Sequence, residues 1–146
     1  MTYTETAVTP LLLSALYARL WPRGVEEIRR VGITLADAYQ SMLEWAKAGR
    51  SGVLLADGEP VLVCGIYPDA AGAFTWMAAR DDFERHYRAM VRTMRHELAK
   101  WPGTVYIYSV CVDQRAERFF NALGCERDGW AGRTPTGAAL YRFTRR

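Results

Sequence analysis

Two tyrosines, two histidines and a loop dense in both acids and bases hold most of the proton-moving and anion-binding chemistry of this chain. Tyr106 and Tyr108 stand two residues apart, and a phenol can give a proton in a transition state. The same alternation puts both on one strand face with Val110, as core or cross-strand aromatics are arranged. His86 and His96 are ten residues apart with no Cys or Asp at metal-ligand spacing, which reads as surface or satisfied histidines. Glu59, a candidate base, sits beside a hairpin turn and is expected in solvent.

The loop reads Arg80-Asp81-Asp82-Phe83-Glu84-Arg85. Arg80 and Arg85 could hold an anion. Asp81, Asp82 and Glu84 suit the start of a helix. They repel a dianionic ligand, and no glycine lets the backbone approach one closely. Arg85, Arg88, Arg92 and Arg95 recur at spacings of three and four and form one helical stripe, facing an anionic partner or, on the plainer reading, solvent. Arg142, Arg145 and Arg146 make a basic terminus without interleaved aromatics, so nucleic acid is not an expected partner. Gly-x-Ser-x-Gly, a Walker loop and a dinucleotide fingerprint are all missing from the sequence.

These residues need positioning elements. Thr9-Pro10 opens a helix with the stripe Leu11, Leu12, Ala15, Leu16 and Leu20. A short helix is expected over 25–30, and a third from Thr34 to Gly49. Strands are expected over 52–56 and 60–67 around Asp57-Gly58, a hairpin turn signal. A third strand follows over 73–78, and one long helix over 82–100. The strand 104–112, the helix 114–123 and the strand 125–128 come next. A Gly/Thr/Pro-rich loop over 129–137 leads into the last strand, 139–144.

Helices, an antiparallel meander, then alternating strands and helices predict an α/β (α+β) mixed sheet with helices on both faces. The length of 146 residues predicts a single domain, 1–146. Half the residues are hydrophobic, and the net charge of +3 with a pI near 8.9 is mildly basic. Cys64, Cys111 and Cys125 fall in apolar runs without CxxC spacing, predicting buried reduced thiols rather than disulfides or zinc. With no basic leader and no membrane-length apolar run, a cytoplasmic setting is expected.

The segment Asp113-x-x-Ala116-x-x-Phe119-Phe120-x-x-x-Gly124 resembles the Asn-x-x-Ala-x-x-Phe-Tyr-x-x-x-Gly-Phe segment of the Gcn5-related N-acetyltransferase (GNAT) superfamily. Asp57-Gly-Glu-Pro-Val, Gly65-Ile-Tyr-Pro, Trp76-Met-Ala and Glu84-Arg-His86 resemble the acyltransferase-like internal virion proteins of short-tailed phages. The first resemblance implies an acyl-CoA N-acyltransferase fold, acetyl-CoA as cofactor and an amine as substrate. It places Trp76, Met77 and Ala78 beside the pantetheine arm and Arg80 at the Gln/Arg position of the pyrophosphate loop. Arg85 is the further phosphate candidate, although it and Phe83 stand where the family has glycines. Phe120 stands where the family tyrosine protonates the departing thiolate, so Tyr106 and Tyr108 become the substitute acids. The second resemblance implies a non-catalytic phage or prophage protein with virion partners and, if phage-encoded, a place in the virion.

Overall fold

The computed structural model describes residues 1–110 and 113–145. Seven strands form one sheet in the order β1-β2-β3-β4-β5-β7-β6. They are β1 (Tyr3–Thr6), β2 (Arg50–Ala56), β3 (Glu59–Asp69), β4 (Gly72–Ala79), β5 (Val105–Ser109), β6 (Glu126–Arg133) and β7 (Ala139–Arg145). Only β4 and β5 run parallel among these pairings, and the helix between them is the crossover this requires. The helices are α1 (Pro10–Tyr17), α2 (Pro22–Val31), α3 (Leu35–Ala48), α4 (Tyr87–Ala99) and α5 (Gln114–Ala122).

Local chemistry sets the ends of these elements. The hydroxyls of Thr9 and Thr34 accept the amides of Leu12 and Asp37, capping α1 and α3, and the Asp113 carboxylate accepts that of Ala116 to cap α5. Gly124, at φ +86°, carries the left-handed turn that follows α5. Asp57 and Gly58 both take positive φ, 49° and 84°, giving the tight turn between β2 and β3.

The sheet separates two cores. Met90, Met94 and Leu98 of α4 and Phe120 of α5 pack with Val105, Ile107 and Phe143 on one face. Leu13 and Leu16 of α1 and Met42 of α3 pack with Val63, Trp76 and Ala78 on the other. The Trp76 ring lies close against Gly65: a Cβ there would meet the Arg50 carbonyl oxygen at 2.6 Å and two ring carbons at 2.6 and 2.7 Å. Cys64 and Cys125 are buried free thiols, pushed up to about 12 and about 11 chiefly by burial. Cys111 lies outside the described residues.

Four expectations need correction. The strand β1 is additional to those expected, because its four residues are all exposed and carry no apolar alternation; backbone pairing with β2 defines it. The helix α2 starts at Pro22, where proline in the first turn loses no hydrogen bond. The segment expected as one helix from Asp82 divides into a 3₁₀ turn, Phe83–His86, and then α4. Its i→i+3 bonds run from the amide of Phe83 to the Arg80 carbonyl and from that of Arg85 to the Asp82 carbonyl. Finally, much of the expected loop 129–137 belongs to β6, whose pairing with β7 shifts register at Arg127/Gly129 and at Trp130/Gly132. Glycines that read as loop in sequence sit at strand irregularities.

Candidate active site

The sheet opens between β4 and β5. Their ladder consists of two pairs, Ala73↔Val105 and Phe74↔Tyr106, after which the strands diverge. Backbone parity fixes what faces the gap. The Arg80 amide bonds to Val61 on β3, whereas the Ala79 carbonyl turns the other way and accepts the amide of Trp21. Within a strand, alternate residues present their N–H and C=O groups to opposite neighbours. Met77, two residues before Ala79, therefore aims its backbone groups into the gap. Trp76 and Ala78 bury their side chains in the α1/α3 core, each 6% exposed. Of the three residues expected beside a cofactor arm, Met77 thus offers its backbone to the gap, while Trp76 and Ala78 turn their backbone groups to β3 and their side chains into the core.

The chain itself borders the mouth of the gap. Leu20 pairs with Arg80 as a single antiparallel bridge. The Asp81 amide donates to the Arg19 carbonyl at 2.8 Å, and the Arg19 and Asp81 side chains form an ion pair of the same length. Trp21 packs on Phe83 with ring centroids 4.2 Å apart. Further along, Arg23 of α2 pairs with Asp113 at the start of α5, at 2.7 Å. Glu27 accepts the hydroxyl of Ser109, the last residue of β5, at 3.1 Å. The segment 19–27 therefore ties the end of β4 to the end of β5. Sequence reading missed Arg23, Glu27 and Ser109, since nothing in their spacing brings partners 82 or more positions apart together.

Loop 80–86 is an internal salt-bridge cluster. The guanidinium of Arg80 is held by Asp82 at 2.6 and 2.8 Å and reaches Glu59 at 3.1 Å. Its hydrogen bonds from Arg80 hold the Asp82 carboxyl down at about 2, against the opposing effect of burial. Glu84 pairs with Arg115 of α5. The expectation that these acids serve the start of the long helix is corrected: α4 begins at Tyr87 with no acid in its first turn, and the three carboxylates face cations instead. Glu59 is exposed as expected, at 72% of its side chain, yet still meets Arg80. Arg85 is exposed and has no carboxylate partner among the described residues.

His86 is buried. Its Nδ1 lies 2.9 Å from the Tyr3 hydroxyl, while Nε2 has no hydrogen-bond partner and stands 3.5 Å from Asp82. The contact is long for a hydrogen bond, so it is an electrostatic neighbour only. His96 is exposed on α4.

The tyrosine pair lies together as alternation requires, with ring centroids 6.3 Å apart. The Arg142 guanidinium sits 4.9 Å from the Tyr106 ring, and Tyr108 is 38% exposed. Partial burial first, and the Asp69 charge second, push the Tyr108 hydroxyl above its ordinary value. Phe120 is a core residue, 8% exposed and 4.6 Å from the Phe143 ring.

This is the acyl-CoA N-acyltransferase (GNAT) fold. The chain is similar in structure to an acetyltransferase from Thermus thermophilus, at TM-score 0.69 and 22% identity over 99% of this chain and 97% of that one. It is also similar to the ribosomal-protein-S18-alanine N-acetyltransferase from Escherichia coli, at TM-score 0.69 and 16% identity over 99% and 93%. AAC(6')-Ib in complex with paromomycin and acetyl-CoA matches at TM-score 0.68 and 18% identity over 99% and 93%. No family model matches the chain, and no curated protein matches it in sequence. Among the described residues no helix is long and apolar enough to cross a membrane, and there is no cluster of three metal-ligating side chains.

Proposed function

We propose that this chain is a GNAT-type N-acyltransferase that transfers an acyl group from acyl-CoA to an amine. The observation that carries the reading is the two-pair β4–β5 ladder, with the Met77 backbone turned into the gap. Such an edge can pair with the amides of a pantetheine arm as it would with another strand. Bound acyl-CoA would supply the activated thioester. AAC(6')-Ib, a neighbour of the same fold, has been seen with acetyl-CoA and with coenzyme A.

The two ends of the gap differ in fit. The strand edge at Met77 suits the arm. The loop 80–86 does not form a glycine cradle for the pyrophosphate, because its side chains and carboxylates occupy that space. Arg80 is clamped by Asp82 and Glu59, which leaves Arg85 as the exposed cation for a phosphate. Holding amine and thioester together supplies most of the rate in this reading. Tyr108, on the rim strand and partly open to solvent, is the proton donor of choice over Tyr106, which stacks under Arg142.

A second reading keeps the fold without catalysis, as in a phage or prophage structural or interaction protein with virion partners. The ties of segment 19–27 across the mouth and the clamped Arg80 favour it. Calorimetric titration with acetyl-CoA separates the two. A saturable 1:1 heat, with a melting temperature that rises with ligand concentration, supports the transferase. No heat at millimolar ligand refutes it and leaves the second reading.

A further inference from the structure

The outer face of α4 carries unrelieved charge. Among the described residues eight arginines meet carboxylates: Arg19, Arg23, Arg29, Arg30, Arg50, Arg80, Arg115 and Arg142. Arg88, Arg92 and Arg95 are exposed on one helix and have no such partner among the described residues. They stand at i, i+4 and i+7, and like charges at those spacings weaken a helix. Arg88 also lies in the first turn of α4, where the helix dipole is positive and no acid is present. The helix is thus electrostatically frustrated in the free protein, and an anion lying along it would relieve that frustration.

The shape beside the stripe narrows the partner. A shallow, widely open depression is lined by Tyr87, Arg88, Val91, Arg92, Arg95 and His96. Tyr87 is 37% exposed and packs at a tilt against Phe119 of α5, with ring centroids 6.0 Å apart, and Val91 is half-buried. Apolar side chains therefore lie along a row of three guanidinium groups. A sugar–phosphate backbone would satisfy the arginines and leave this floor without a match. An amphipathic helix bearing acids at i, i+4 and i+7 beside an apolar strip satisfies both. The net charge of only +3 also gives little long-range field for a nucleic acid. We propose that the α4 face is a docking surface for an acidic amphipathic helix of a protein partner. The proposal does not depend on acyl transfer, because the stripe lies along the outer face of α4 and not on the β4–β5 gap.

The test is fluorescence anisotropy of the full chain with a labelled 18-residue helical peptide that places Glu at i, i+4 and i+7 beside Leu. A scrambled peptide of the same composition and an oligo-dT strand are the comparators. Arg92→Gln and Arg95→Gln are the variants, each checked by thermal melting. The patterned peptide should bind about tenfold more tightly than the scrambled one, and the double variant should lose about tenfold. The double variant should also melt no lower than the parent, because it removes repulsion. Equal binding of scrambled and patterned peptides would overturn the proposal, as would no binding at all or tighter binding of oligo-dT with a steep salt dependence.

Discussion

Asp82→Asn isolates the salt-bridge cluster at the start of the loop. The Asp82 carboxylate is 18% exposed, grips a guanidinium that is 10% exposed, and titrates at about 2 rather than 3.8. That difference contributes about 2 kcal/mol of folding stability at neutral pH. Glu59 stays in contact with Arg80, so the loss should fall short of the roughly 3–5 kcal/mol seen when a buried charge is left wholly alone. For a domain of this length about 2 kcal/mol lowers the melting temperature by roughly 4–8 °C. The sign follows from the direction of the shift. The folded pKa is depressed, so the stabilisation is fully present above the unfolded value and is lost as pH falls through about 2. Urea unfolding of both proteins at pH 7 and pH 3 should therefore show the gap shrinking to about half at the lower pH. A gap below about 0.5 kcal/mol at pH 7, or one unchanged at pH 3, would refute the assignment of Asp82 as the group that clamps Arg80. The same variant removes a negative charge from the loop and loosens Arg80. Any coenzyme A affinity should then rise rather than fall.

Gly65→Ala should cost about 2–3 kcal/mol in urea unfolding, because the added carbon meets the Arg50 carbonyl and the Trp76 ring at 2.6 Å; the Trp76 emission should shift with it. Phe120→Tyr restores a family-like hydroxyl but puts it in the core beside Phe143, so stability should drop by about 1–2 kcal/mol with no gain in an acyl-transfer assay. Arg23→Ala removes the tie between α2 and Asp113; it should leave the melting temperature nearly unchanged and speed coenzyme A association in stopped-flow. A slower association would mean that the tie shapes the entrance rather than restricting it.

The elements written in apolar periodicity were legible. The stripe of α3, the Asp57-Gly58 turn, α5 and Gly124 stand where residue pattern put them; of the strand expected over 104–112, β5 covers Val105–Ser109, and residues 111 and 112 lie outside the described residues. What escaped was structure held by partners distant in sequence. The four residues of β1 carry no signature until β2 lies beside them, and the β6 glycines look like loop until β7 supplies a ladder. The site divides in the same way. Alternation placed Tyr106 and Tyr108 side by side, whereas the reading of Phe120 at a proton donor's position rested on the GNAT resemblance. It could not tell that Asp82 turns back on Arg80, which converted an apparently acid-capped helix into a 3₁₀ turn. Nor could it find the contacts of α2, where Glu27 meets Ser109 across 82 residues.

The two-pair ladder between β4 and β5 also has a mechanical meaning. It is the narrow seam of the sheet, with a four-stranded antiparallel half on one side and a three-stranded half on the other. Shear along the sheet should concentrate at Ala73 and Phe74, as a fold line concentrates bending in paper. The two halves then become separate cooperative units, and amides of β6 and β7 should exchange with solvent together and ahead of those in β3. A ligand strand laid into the gap would join both halves and make them exchange as one.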